Sequence, residues 1–200
     1  MFALVESGSI TKMLNGNRGI TLNDLQYPRA IYTLWSEAER NAINIYEVEI
    51  DKTNYKNENW FINTDITYSF DGTNVTGSYG TATAKAHADT LWTAQDETDG
   101  LGTEGEVATR GLKYNLIQTV KAQAAGLLAE TDWYITRKSE KNTAIPSAIT
   151  THRNAVRSKQ AAMETAITNA SDTVALETLY TATKQDDGTV ARPLGQLPTL

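Results

Sequence analysis

The sequence has no cysteine, two histidines, no excess of basic residues and no long apolar run. Without cysteine there is no disulfide framework, no thiol nucleophile and no Cys-based zinc or iron–sulfur site, although that absence alone assigns no redox compartment. With His87 as one histidine and His152 as the other, and no G-x-S-x-G elbow, a Ser-His-Asp triad has little to be built from. The formal net charge of −6 argues against general nucleic-acid binding, because the counterion-release term needs a basic face. No apolar stretch approaches the roughly 18 residues of a membrane span. Met1 to Val5 meets Glu6 too early for a signal-peptide core. The expectation is a soluble protein made without export and without membrane insertion.

What is there is organised in two halves. At 200 residues a compact fold buries roughly 70 % of the surface its unfolded chain exposes, so one domain or two small ones need no staple. Residues 1–100 carry 7 basic and 14 acidic side chains, net −7, whereas residues 101–200 carry 11 and 10, net +1. Composition shifts at the same place, from Thr, Asn, Tyr and turn pairs to Ala, Lys and Gln. The expected architecture is therefore α+β. A small antiparallel β-rich module with one short helix (1–85) precedes an acidic, glycine-containing linker (86–106). A helical hairpin or bundle (107–182) and an extended tail (183–200) follow.

In the first half, Phe2 to Val5 and Ser9 to Met13 flank Glu6-Ser7-Gly8 as a hairpin. Asn15-Gly16-Asn17 marks the next turn. Ser36-Glu37-Ala38-Glu39 is a capping box, predicting a helix from Glu37 to about Ile43. Tyr46, Val48 and Ile50 alternate with Glu47, Glu49 and Asp51 as a half-buried strand. Thr64 to Phe70 and Val75 to Tyr79 form a second hairpin about Asp71-Gly72. In the second half, Leu112, Leu116, Val120, Gln123, Leu127 and Leu128 form one stripe of a helix from about Glu106 to Ala129. Thr131 or Asp132 caps a short helix, which Asn142 to Pro146 ends. Ile149, Val156, Met163 and Ile167 line the next helix, and Leu176, Leu179 and Tyr180 a last one.

Several segments imitate chemistry. Gly100-Leu101-Gly102-Thr103-Glu104-Gly105 matches G-x-G-x-x-G, yet Gln95 to Asp99 precede it where a buried strand should stand, and Glu104 and Glu106 would repel a pyrophosphate. It reads as a flexible interdomain loop. Asp96-Glu97-Thr98-Asp99-Gly100 offers oxygens for Ca²⁺ but lacks EF-hand spacing, so a solvated loop is the simpler reading. His87 with Asp89 could be two ligands or a base and its orienter, but His152 falls in another module, and a solvent-facing or capping role is favoured. Glu47, Glu49 and Asp51 read as a solvated strand face. Asn74-Val75-Thr76 and Asn169-Ala170-Ser171 fit the glycosylation pattern by chance if the chain is not exported. No catalytic residue, metal or cofactor is expected.

One further pattern carries more. Gly126 to Lys138, containing Thr131-Asp132-Trp133-Tyr134 and Arg137, is followed by Ala144-Ile145-Pro146 and by His152-Arg153-Asn154-Ala155-Val156-Arg157. This resembles the short C-terminal helical domain of unknown function in tail-fibre-associated and tail-assembly proteins of tailed bacteriophages. Trp35 to Ile43 with Tyr46-Glu47-Val48 resembles the helix and strand upstream of that domain. The resemblance implies a non-enzymatic tail component, associated with the tail fibre or joining fibre to baseplate. It would be found in the virion tail and, during assembly, in the host cytoplasm. The alternatives are a tail-fibre assembly chaperone that leaves the particle and, from another class, a phage enzyme. Expected partners are other tail proteins and further copies of the chain, with no nucleic acid. Trp133 and Tyr134 read first as core at a helix–helix corner and otherwise, with Arg137, as a partner surface. Asp132 reads as a cap, and an exposed salt bridge from Arg137 or Arg153 would add little. The tail has too few apolar groups to order itself, so Leu194, Leu197 and Leu200 are expected to lie extended against a neighbour.

Overall fold

The computed structural model describes residues 1–200. The chain divides into two compact units, Met1–Thr83 and Ala84–Leu200. The fold is α+β, a β-rich first part followed by a helical second part.

In chain order the first part contains β1 (Phe2–Glu6), β2 (Ser9–Leu14), β3 (Ile20–Leu22), β4 (Leu25–Tyr27), α1 (Ile31–Leu34), α2 (Glu37–Asn41) and β5 (Ile45–Asp51). Then come β6 (Phe61–Ile62), β7 (Ile66–Phe70), β8 (Val75–Tyr79) and β9 (Thr83–Ala84). The main sheet has the order β2-β1-β5-β8-β7. The β1–β2 hairpin turns through Ser7 and Gly8, both at positive φ, the primed geometry that matches strand twist. Asn23 and Asp24 do the same between β3 and β4, the residue types that tolerate positive φ in a two-residue hairpin turn.

The sheet departs from the antiparallel expectation at one place, because β5 and β8 run parallel, Val48 opposite Val75. Parallel neighbours need a crossover of about a dozen residues or more. Lys52 to Asn74 supplies it, with β7 inside the connection. The apolar run of β1 is explained by burial on both faces. Phe2 and Leu4 pack with Leu14, Ile31, Tyr32 and Ile45, whereas Ala3 and Val5 meet Val48 and Val75. Between α2 and its cap the capping box is complete. Glu39 N–H donates to Ser36 Oγ at 3.3 Å, and Ser36 N–H donates to Glu39 Oε2 at 2.8 Å.

The second unit continues with β10 (Thr90–Leu91), α3 (Ala94–Thr98), β11 (Val107–Thr109), α4 (Leu112–Ala129), α5 (Asp132–Lys141), α6 (Ser147–Asn169) and α7 (Thr173–Tyr180). The short strands β12 (Thr183–Lys184) and β13 (Val190–Ala191) complete it. Helices α4 and α6 run antiparallel. Arg153 near the start of α6 reaches Leu128 at the end of α4, and Lys113 reaches Thr168 at the other end. Val120, Ala124, Ile149, Val156, Met163, Ile167 and Leu176 are buried, while Gln123 of the expected stripe is exposed.

Residues 86–106, read above as a linker, lie inside this unit. Their reason for order is the start of α4. Leu112 N–H donates to Ala86 O and Lys113 N–H to His87 O, both at 3.0 Å, and Gly111 N–H donates to Asp89 Oδ1 at 2.8 Å. First-turn amides have no partner within their own helix, and the preceding segment provides acceptors for them. The helix consequently begins at Leu112 rather than near Glu106, and residues 107–109 pair with β10 instead.

Replacing Ser36 by Ala should lower stability by about 1 kcal/mol, the usual cost of losing such a cap. A thermal or denaturant melt reads it directly, and an unchanged midpoint would mean that α2 owes nothing to the box.

Candidate functional site

Thr131, Asp132, Trp133, Tyr134, Arg137 and Arg153 meet at the corner joining α4, α5 and α6. Helix α4 stops at Glu130, leaving late carbonyls without helical partners. Thr131, with φ −115° and ψ 5°, turns the chain and donates its hydroxyl to Leu128 O at 3.0 Å. Arg153 of α6 enters this turn. Its Nη1 donates to Leu128 O and to Thr131 Oγ1, each at 2.7 Å, and its Nη2 pairs with Asp132 Oδ1 at 2.8 Å. The Arg153 side chain is 8 % exposed and that of Asp132 61 %. The cation is thus buried while its counter-ion remains wet, so the carbonyl and hydroxyl contacts hold it more than the ion pair does.

Two expectations change here. Neither Thr131 nor Asp132 caps α5 through its side chain. Thr131 uses its hydroxyl on Leu128, and Asp132 sits in the first turn facing Arg153. Trp133, read first as core, is 52 % exposed, because the inside of the corner is taken by Arg153. Tyr134 is half-buried. Its ring lies 3.8 Å from that of Trp133, centroid to centroid. The Arg137 guanidinium sits 4.7 Å over the Trp133 ring and 5.1 Å from Tyr134. Cation–π contacts of this kind contribute about 0.5–1 kcal/mol at an exposed position, enough to hold a rotamer. The result is a half-exposed aromatic and cationic surface on α5, fixed from beneath by Arg153.

The tail does not share that surface. Leu194, expected against a neighbour, is buried in its own unit, and its N–H donates to Leu179 O at 3.0 Å. Leu197 lines a hollow with Gln123, Gly126, Leu127 and Glu130. Only Leu200, 71 % exposed, stands free. The groove between α4 and α7 offers these leucines the burial that the tail's composition cannot provide by itself.

The other candidates have structural occupations. Gly100 and Gly105 adopt φ of +73° and +81°, and a Cβ on Gly102 would collide with the Trp92 indole, so these glycines serve a tight ordered loop rather than a flexible one. Asp96 accepts from Thr93 N–H at 2.8 Å as half of a second capping box. Asp99 accepts from Gln95. Asp89, expected beside His87, takes Gly111 N–H and Arg110, whose Nη1 is 2.6 Å away. Those two partners, the amide foremost, hold its carboxyl below the usual carboxylate range. His87 is half-buried and His152 buried on α6. No group of three or more His, Asp or Glu side chains is gathered to hold a metal. Glu47 pairs with Arg40 at 3.2 Å, and no helix is long and apolar enough to cross a membrane.

No family model, curated protein or solved structure matches this chain.

Arg153→Met should cost about 2–3 kcal/mol, since it removes the charge-assisted hydrogen bonds to Leu128 O and Thr131 Oγ1. Asp132→Asn should cost under about 1 kcal/mol, because that partner is solvated. Equal losses in denaturant melts of the two variants would assign the corner to the ion pair instead.

The sign of the acid response follows from Asp89. A folded-state pKa below the unfolded value of about 3.9 makes a stabilising contribution above that value, and it is lost as pH falls through the folded one. The melting temperature should therefore fall as pH is lowered below about 4, and Asp89→Asn should flatten that fall. An unchanged acid slope in the variant would remove Asp89 from the account.

Proposed function

We propose that this protein is a non-enzymatic component of a bacteriophage tail, associated with the tail fibre or its attachment to the baseplate, and that α5 is the surface through which it is held. One observation carries the reading. Six of the residues quoted for the resemblance, Thr131, Asp132, Trp133, Tyr134, Arg137 and Arg153, form one connected corner. Within it the buried members, Thr131 and Arg153, fix the turn, Tyr134 and Arg137 are half-buried, and Asp132 and Trp133 are exposed. Trp and Arg are the side chains most enriched at energetically important interface positions, and a half-exposed Trp stacked under Arg is ordered before any partner arrives, which reduces the entropy cost of binding.

The test is a mass-spectrometric inventory of purified particles of a phage encoding the chain. The protein should be present, and Trp133→Ser should lower its incorporation several-fold while costing only about 1 kcal/mol in the melt, the size of the lost cation–π contact. Recovery bound to fibre protein in lysates but absent from particles would replace this reading by that of an assembly chaperone.

A further inference from the structure

We infer that copies of this chain associate head to tail, the α5 end of one second unit docking on the β10-α3-β11 end of the next. This rests on the proposed role of α5 and names what meets it. Two exposed patches of opposite charge stand at opposite ends of α4. At its start, residues 90–109 carry Asp96, Glu97, Asp99, Glu104 and Glu106 and no Lys, Arg or His. Leu91 and Leu101 stand among them 49 % and 60 % exposed. This lobe is fixed to α4 by the Gly111, Leu112 and Lys113 amides described above. At the other end α5 carries Arg137, Lys138 and Lys141 against Glu140 alone, since Asp132 is engaged by Arg153. Its apolar members are Trp133, 52 % exposed, and Ile135, 43 % exposed.

At each end exposed apolar side chains stand among charges of one sign, as at a protein interface, and on α5 Trp133, Arg137 and Lys141 share one face at i, i+4 spacing. Helix α4 has 18 residues, so at about 1.5 Å per residue its two ends lie about 27 Å apart. That is several times the Debye length of about 8 Å at physiological salt. One molecule cannot bring its own patches together, and their complementarity is realised only between molecules. An interface joining different patches is heterologous and repeats into a ring if the rotation closes or a stack if it does not.

The experiment uses the full chain in sedimentation velocity at about 50 mM and about 500 mM salt, the second condition screening exposed charges. Two variants accompany it. Lys138→Glu with Lys141→Glu disables the basic end, and Leu101→Asp disables the acidic end without reversing its charge. Wild type should form species beyond the dimer at low salt that shrink at high salt. Each variant alone should be monomeric, and an equimolar mixture should give a one-to-one dimer and nothing larger, because a single intact interface remains. That mixed dimer also shows that both variants are folded. A wild-type monomer at both salts, or an assembly that neither variant weakens, overturns the inference. If wild type is monomeric and the Lys138/Lys141 variant is still lost from particles, α5 meets a different tail protein; the head-to-tail inference then falls and the proposed function stands.

Discussion

A buried guanidinium has to be met by acceptors, and the two terminal nitrogens of Arg153 find them by gathering the end of α4, the turn at Thr131 and the first turn of α5 around one side chain, while its Nε has no partner. Much of the second unit's arrangement follows from it. The helix before the turn must stop so that Leu128 O can accept from Arg153 as well as from Thr131, Thr131 must present its hydroxyl, and α5 must leave the corner with Trp133 on the outside. The first unit uses a similar device. Arg40 is buried, donates to Trp35 O and to Glu47 Oε2, and lies 5.3 Å over the Phe2 ring. In each unit one arginine ties a backbone carbonyl to a solvated carboxylate, and the stem adds packing that a lysine's compact ammonium could not match with the same planar fork.

The acidic residues are mostly fastenings. Ser36 holds the Glu39 carboxyl below its ordinary range, Thr93 does so for Asp96, and the Ala175 amide does so for Asp172. These carboxylates stand at helix starts, where the unpaired amides and the helix dipole favour negative charge. The excess of acid in the first hundred residues therefore does two things at once. Part of it closes caps and turns and part stays as surface charge, to which Glu104 and Glu106 in the loop after α3 add from just beyond.

Local signals were legible where the answer is local. The Ser36–Glu39 box, the alternation of β5 and the Ile149, Val156, Met163 and Ile167 stripe of α6 depend on neighbours a few positions away, and the structure has them where the spacing places them. The orientation of Trp133 was not legible, because it is decided by Arg153 across a turn and another helix. Leu194 likewise looked unattached until α7 supplied Leu179. The glycines at 100, 102 and 105 looked flexible because composition records the freedom of glycine and not the indole of Trp92 that needs the space. The parallel pairing of β5 with β8 lay beyond reach for a related reason. Each strand is visible in its pattern, but which neighbour it chooses is a property of the whole sheet.

The acceptors that serve the first turn of α4 come from Ala86, His87 and Asp89, which leave the ribosome before the helix does. Starting a helix is its costly step, and here the groups that relieve it are already waiting when Leu112 emerges. The corner at the far end has the reverse order, since Thr131 and Trp133 are made before Arg153. A nascent chain can thus hold a formed α4 while α5 still lacks its anchor, and the aromatic face acquires its fixed direction only when α6 follows. Vectorial synthesis therefore delays the contact surface until the helix that supports it has been translated.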